Sequence, residues 1–456
     1  MNVAVIGIGR IGLPIAAALA ARGHTVVGCD IDARRVETVN AGRNPNPDEA
    51  GLEDLLPALV RAGKLSATTE TAAAVAAADV VAFCVAVDVD SDGRANLRPL
   101  LAACDTAAPV LRAGALCLFD TTLPVGTTRN VLVPRLAAGG KVPGRDFFVA
   151  FSPERLFMGR VLRDLTAYPK VVGGLDAESG RRAVAFYRET LGVDVIELPS
   201  LEAAELSKLA EGVYRDLNIA LANELAQVAD RFGVDVMEVI RAANSQPYCH
   251  LHIPGTGVGG HCIPVYPRFL MQGEGPSRLA ALGRQVNDEM PAYAVERLAS
   301  ALGSLEGRRV LVLGLTFRPD VAVTAHTNAV DLLRELKDRG ARVWGHDPLL
   351  ERHTVESLGF EPAPEPLGTY DAAIVHAFHT AYRGWRWGQL APLIFDARNA
   401  LDPAAVTASG AAYLGVGRPR RRPRATAARG GRTSRFTLRP GGRSARAAPE
   451  RLAHHA

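Results

Sequence analysis

One cysteine in this chain stands where a nucleophile would be placed. Residues 254–270 read PGTGVGGHCIPVYPRFL, and Gly255, Gly257, Gly259 and Gly260 remove side chains from nearly every second position ahead of Cys262. Glycine lets backbone come close to a ligand or turn through positive φ, so the loop before the thiol suits close approach. Pro264 and Pro267 follow and predict chain without regular helix until Phe269. A thiolate attacks carbonyl carbon and can hold the product as a covalent adduct. Most free cysteines are only small buried hydrophobes; glycines on one side of Cys262 and prolines on the other favour the nucleophile.

A second constellation opens the chain. Residues 7–12 are GIGRIG, set between an apolar run, NVAVI, and an alanine-rich helical stretch that reaches Arg22. With Asp30 about 18 residues further on, this is the dinucleotide-binding pattern. Gly7 makes the turn, Gly9 lets backbone reach a pyrophosphate and Gly12 allows close helix packing, while Arg10 and Ile11 lead into the helix N-terminus. Asp30 would bond the ribose hydroxyls and repel a 2′-phosphate, which selects NAD over NADP. Asp32 stands close enough to share that role.

Further polar groups sit at loops that follow apolar strands. Strand 115–120 leads into TTLPVGTT (121–128) and strand 147–151 into SPERL (152–156), which hold Thr122, Glu154 and Arg155. Read alone, the first is most often a helix cap and the second a helix start. Helical periodicity is strongest over 201–231, where Leu206, Leu209, Ala210, Val213, Leu217, Ala220 and Leu221 define an apolar face on a helix that also holds Lys208 and Arg215.

The elements that must position these groups alternate. Strands at 2–6, 24–28, 80–85, 115–120 and 147–151 are separated by helices at 33–41 and 52–62, as in a doubly wound parallel sheet. After the long helix and another near 278–302 comes a smaller alternating unit, with strands at 310–314, 341–344 and 372–376 and a last one at 394–396. It lacks a GxGxxG and gives no independent sign of nucleotide binding. The expected fold is α/β: an N-terminal Rossmann unit (1–195), a central helical dimerisation unit with the cysteine loop (196–300) and a C-terminal Rossmann-like unit (301–416).

Composition narrows the class. Of 456 residues, 48% are hydrophobic and 22% charged, as in a globular protein of several domains. No apolar run of about 18 residues suggests a membrane span, and no basic leader suggests export. Six scattered cysteines without CxxC pairs argue against structural zinc and for a reducing cytoplasm; no metal is expected. Residues 418–456 hold twelve arginines against one acid, Glu450, so the overall +4 less the tail's +11 leaves −7 for the remainder. Residues 417–456 are expected to be a disordered basic tail. No nucleic-acid partner is expected beyond weak contacts of that tail.

Together these segments resemble the nucleotide-sugar 6-dehydrogenases, most closely the UDP-N-acetyl-D-mannosamine dehydrogenase branch. That family's segments GxGxGGHCIPVDP, STxPxGTT and SPERL correspond to 255–267, 121–128 and 152–156, and a long match surrounds Lys208 over 205–226, ELSKLAEGVYRDLNIALANELA. The resemblance covers about residues 1–415. It implies NAD, a UDP-sugar substrate, a homodimer and a C-terminal unit that binds UDP. It also implies Cys262 as covalent nucleophile, Lys208 as oxyanion stabiliser, Glu154 as general base, and Thr122 as a group beside cofactor, water and substrate. Glu154, Arg155, Lys208, Arg215, Gly255, Gly257, Gly259 and Arg318 would contact substrate.

Departures cluster near the chemistry. The family's asparagine one turn after its lysine is here Gly212, and the aspartate four residues after its cysteine is Tyr266. Val87-Asp88 replaces Thr-Pro, Arg318 a lysine, and Ala325 a substrate-binding arginine, within AVTAHTN (322–328) where the family has DDxRxSP. Loss of one oxyanion donor costs about 10²- to 10³-fold in rate. The expected activity is oxidation of a UDP-hexose C6 alcohol to the acid. The alternatives are a weak or inactive homologue that binds NAD or a nucleotide sugar, and a one-step alcohol dehydrogenase.

Overall fold

The computed structural model describes residues 1–273, 275–363 and 369–423. Eight strands form the first sheet: β1 (Asn2–Ile6), β2 (Thr25–Cys29), β3 (Leu65–Thr68), β4 (Val80–Phe83), β5 (Ala115–Phe119), β6 (Phe147–Phe151), β7 (Lys170–Gly174) and β8 (Val195–Leu198). Their order is β3-β2-β1-β4-β5-β6-β7-β8, parallel throughout except at β6–β7. Runs such as ALCLF in β5 and FFVAF in β6 are wholly buried because helices cover both faces of the sheet. β8 pairs with β7, so this sheet extends past the boundary expected at 195.

A 32-residue helix, Leu201–Phe232, leaves this unit. Ser200 caps it by accepting from the Ala203 N–H at 3.2 Å, and Gly233, at φ 67°, ends it. Its main partner is the helix Arg278–Leu302, and a buried polar seam fixes their register. Arg284 donates to Asp216 at 2.7 Å, and Asn223 donates to Asn287 at 2.8 Å. Of the expected apolar face, Leu209, Val213 and Ala220 are buried, whereas Leu206 and Leu221 stay exposed, as do Tyr214, Val228 and Phe232.

The second sheet has the order β11-β10-β9-β12-β13-β14-β15. Its strands are β9 (Arg309–Leu313), β10 (Arg342–His346), β11 (Glu361–Pro362), β12 (Ala372–Val375), β13 (Leu393–Asp396), β14 (Ala412–Gly415) and β15 (Arg418–Arg421). Two expectations are corrected here. The strand at 393–396 is not the last, and the stretch read as a tail begins with β15, which runs antiparallel to β14. Arginine content hid that strand, yet Arg418 is tied to Asp235 at 3.0 Å and its carbonyl accepts from Arg297 at 2.7 Å. The expectation of disorder from 424 onward falls outside the described residues. A third correction concerns the prolines: a short helix, Tyr266–Met271, begins before Phe269, because proline in a first turn gives up only an N–H that has no helical partner there.

The architecture is thus α/β, with two Rossmann-like units joined through a long central helix. Among the described residues, no helix is long and apolar enough to cross a membrane.

Candidate active site

The glycine fingerprint forms an open cradle at the end of β1. Gly7 has φ 92°, and a Cβ there would lie 3.0 Å from the Cys84 carbonyl. A Cβ on Gly12 would lie 2.0 Å from the Gly7 oxygen, whereas one on Gly9 would meet nothing within 4 Å. Residues 7 and 12 therefore need glycine for packing, and residue 9 leaves space for a ligand. The helix Gly12–Ala21 starts without a side-chain cap, so its N-terminal dipole faces that space.

Asp30, one residue past β2, accepts from the Asp32 N–H at 3.0 Å and lies 3.8 Å from Arg35. Asp32 caps the following helix by accepting from the Arg34 and Arg35 N–H groups. Ile31 between them is fully exposed, an apolar surface beside the cradle that the motif alone did not single out. Arg10 pairs with Asp48. These residues fit a dinucleotide.

Cys262 presents an exposed thiol. Lys208, from the central helix, has an 11% exposed side chain whose amine lies 3.8 Å from Glu211. Burial lowers the amine's pKa, against the opposing charges of Cys262, Glu211 and Glu154. Glu211 also receives a bond from Arg155 at 3.1 Å. Thr122 donates to the Tyr266 hydroxyl at 3.1 Å, which answers where the replaced residue goes: Tyr266 is buried in the site, 5.5 Å from Lys208 at its ring centroid. Cys262, Lys208, Glu154 and Thr122 are brought together.

Glu154 rests on a network that the sequence did not reveal. Lys170, on β7, donates to its Oε1 at 2.7 Å, while its buried Oε2 has no partner among the described residues. Asp120 lies alongside and accepts from Tyr187 at 2.9 Å. Burial raises the Asp120 pKa to about 6, with Lys170 opposing and Glu154 adding to the rise. The available signal was a lysine heading the apolar run KVVGG, which is unusual for a strand buried throughout.

The glycines ahead of Cys262 correct an expectation. A Cβ on Gly255 would lie 3.1 Å from the Ala397 carbonyl, on Gly257 2.8 Å from that of Asn287, and on Gly259 2.7 Å from that of His326. At Gly260 a Cβ would strike the Phe317 ring at 2.8 Å. The space beside them is filled by protein, so their lack of side chains seats the cysteine loop mainly against the C-terminal unit. Arg398, passed over in the sequence, clamps this joint by donating to the Gly257 carbonyl at 2.8 Å. Its pKa is pushed down to about 10 by desolvation.

Arg318 donates to the Met158 carbonyl at 2.9 Å, and the Arg215 guanidinium lies 5.7 Å from the Phe157 ring centroid. Burial lowers the pKa of both, with the nearby Cys262 charge opposing. Ala325 supplies only its carbonyl, to the Gly260 N–H at 3.0 Å. Two of the departures meet: His326 is 2.9 Å from Asp88. Among the described residues, no cluster of histidine, cysteine or carboxylates could hold a metal.

Three family models cover the chain. The UDP-glucose/GDP-mannose dehydrogenase NAD binding domain matches residues 1–191, the central domain 202–288 and the UDP binding domain 311–403. A UDP-N-acetyl-D-mannosamine dehydrogenase from Methanocaldococcus jannaschii is 32% identical over 84% of this chain and 87% of its own. Among solved structures, a UDP-D-ManNAc dehydrogenase from Pyrococcus horikoshii superposes with a TM-score of 0.84 at 30% identity, covering 92% of this chain and 99% of that one. A UDP-glucose dehydrogenase from Pyrobaculum islandicum gives 0.81 at 31%, over 91% and 97%.

Proposed function

The chain belongs to the UDP-glucose/GDP-mannose dehydrogenase family as an NAD-dependent UDP-sugar dehydrogenase, and from that premise we propose that it oxidises the C6 alcohol of a UDP-hexosamine to the acid through Cys262. NAD, when bound along Gly7–Gly12 and Asp30, supplies the hydride acceptor for both oxidations. The observation that supports the covalent route is the exposed Cys262, whose charge acts on the desolvated Lys208 amine.

In the proposed sequence the alcohol is first oxidised to the aldehyde. The Cys262 sulfur then bonds to C6, and the carbonyl electron pair moves to an oxygen that Lys208 stabilises. Loss of a second hydride leaves a thioester. Glu154, held on one oxygen by Lys170 and without a partner on the other among the described residues, takes a proton from the water that cleaves the C–S bond. The thiolate departs and the carboxylate is released.

Arg155, Arg215 and Arg318 are the candidates to hold the diphosphate and sugar. The exposed stripe Leu206, Tyr214, Leu221, Val228 and Phe232 on the central helix is the surface expected to close a homodimer. The described cysteines are all free, in keeping with a reducing cytoplasm.

The test is NADH formation at 340 nm with UDP-N-acetyl-D-mannosamine, UDP-glucose and related sugars, with NADH counted per sugar consumed. Two per sugar, lost in Cys262→Ala, is the expected result. One per sugar with the alanine variant unaffected would make it a one-step alcohol dehydrogenase. NAD binding without turnover of any sugar would make it a binding homologue.

A further inference from the structure

Beside the cysteine loop the N-terminal unit reaches across to the C-terminal one, and a carboxylate makes the crossing. Asp88 opens a hairpin-like strap, residues 88–96, that follows β4. Val89 and Ala95 bridge in antiparallel fashion, and the Asn96 N–H donates to the Asp88 carbonyl at 2.8 Å. Gln272, just past the short helix Tyr266–Met271, holds the strap from one side. It accepts from the Ala95 N–H and donates to the Gly93 carbonyl, both at 3.0 Å. His326 of the C-terminal unit holds it from the other, with Nε2 at 2.9 and 3.2 Å from the two Asp88 oxygens. His261, the residue before Cys262, brings its Nδ1 to 3.8 Å from the same carboxylate.

The backbone aims His326 for that reach. Its φ is 46°, in the left-handed region where a residue with a side chain stays only if its surroundings hold it. Those surroundings are the cysteine loop. A Cβ on Gly259 would lie 2.7 Å from the His326 carbonyl, and the Gly260 N–H donates to the Ala325 carbonyl at 3.0 Å. Residues 325–326 are thus seated on the loop that presents Cys262, while the imidazole extends from them to Asp88.

We propose that Asp88 and His326 are positioning residues for the hydride transfers, a latch that sets the NAD-binding unit against the loop that presents Cys262. The proposal rests on the dehydrogenase reading of the site. Hydride passes only when donor carbon and acceptor ring are held in near contact, and the latch joins the two parts of the chain assigned to them. The hydrogen bond does not depend on the charge of the ring, since the imidazolium and one neutral tautomer both carry Nε2–H. The two side chains are 36% and 44% exposed, so the pair adds little to folding and biases closure by no more than about 5-fold.

Asp88→Ala removes the carboxylate. His326→Asn shortens the reach and keeps a residue that accepts positive φ. Both are made in the full chain, with the thermal midpoint, expected unchanged, as the control for folding. With the sugar that the unsubstituted chain turns over fastest, kcat should fall about 5-fold in each variant and no further when the two are combined. Asp88→His with His326→Asp restores the pair in reverse and should recover most of the loss, because aspartate also accepts left-handed backbone. Hydrogen exchange without sugar or cofactor is the second readout. In Asp88→Ala the Ala95 amide, which crosses to Gln272, should exchange about 5-fold faster. The Gly260 amide, bonded to the C-terminal unit, should not change. Losses that multiply in the combined variant, a reversed pair no better than the single changes, or wild-type exchange at Ala95 would each overturn the proposal. If the unsubstituted chain turns over no sugar, the dehydrogenase reading falls and the positioning role with it, while faster exchange at Ala95 would still show that the pair joins the units.

Discussion

The two sheets of this chain are built alike and finished differently. In each, the strand next to the crossover, β1 or β9, ends on a left-handed glycine, Gly7 at φ 92° or Gly314 at φ 76°. In each, a Cβ on that glycine would strike backbone just past the neighbouring strand, at the Cys84 carbonyl or the Ala377 carbonyl. A carboxylate follows the next strand in both, Asp30 after β2 and Asp347 after β10. There the likeness stops. Asp30 stays partly open, its carboxylate accepting from the Asp32 N–H and lying 3.8 Å from Arg35. Asp347 is buried, with Oδ2 accepting from the Leu315 and Thr316 N–H groups at 2.7 and 3.2 Å and lying 3.0 Å from His379. The same position is tied into the protein's own loop in the C-terminal unit and left partly open in the N-terminal one. Topology places a crevice, and local residues decide whether anything can enter it.

The largest effect should come from Asp347. Replacing it by alanine orphans buried N–H groups and His379, and we expect a loss of about 3–5 kcal/mol in unfolding free energy by denaturant titration. NAD affinity, measured by calorimetry, should not change. Asp30→Ala should do the reverse, leaving stability nearly constant and weakening NAD about 10-fold, the worth of one good hydrogen bond to a charged group. If Asp30→Ala unfolded the chain or Asp347→Ala spared it, the contrast between the two carboxylates would be wrong.

Next in size is Gly9→Val. Nothing in the protein lies within 4 Å of a Cβ at this position, so the fold should accept valine with little change in thermal midpoint. The side chain would stand where backbone must approach the pyrophosphate, and NAD affinity should fall about 100-fold, or ~2.7 kcal/mol. Equal affinity would show that the dinucleotide lies elsewhere.

How far the sequence reached follows from the range of each interaction. The GIGRIG turn was legible because the positive φ of Gly7 and the contact of Gly12 with the Gly7 oxygen are local in sequence. The cysteine loop was legible as an unusual loop, yet its glycines were read as open to ligand. Their partners, Phe317, His326 and Ala397, arrive from the far unit. Lys170 beside Glu154 and Asp120 could not be paired in advance, since β5, the loop after β6 and β7 meet only in the folded sheet. Gly212 and Tyr266 were each visible as departures, but that a Cβ at 212 would lie 2.4 Å from the tyrosine ring required coordinates. β15 was hidden by composition: Arg418 reads as tail until Asp235, 183 residues earlier in the chain, is placed beside it.

The smallest effect separates the two units by acid. His376, just after β12, is fully buried, its Nδ1 is 2.9 Å from the Gly314 carbonyl, and its Nε2 has no partner among the described residues. Burial and then Arg398 push its pKa down to about 3. An unfolded imidazole takes its proton near pH 6.5, so the unfolded chain binds the extra proton and the C-terminal unit loses stability as pH falls from about 6.5 toward 3. Between pH 7 and 5 the loss is about 2 kcal/mol. Asp120 works in the opposite direction in the N-terminal unit. Its pKa, raised to about 6 chiefly by burial, makes the folded state the better proton binder between about pH 4 and 6, so acidification should strengthen that unit by about 1 kcal/mol. Hydrogen exchange at pH 7 and 5, corrected for intrinsic rates, should show β9 and β12 opening more readily at pH 5 and β5 and β6 less. His376→Gln should abolish the first change and Asp120→Asn the second. If both sheets weaken together in the unsubstituted chain, the two units do not carry separate acid responses.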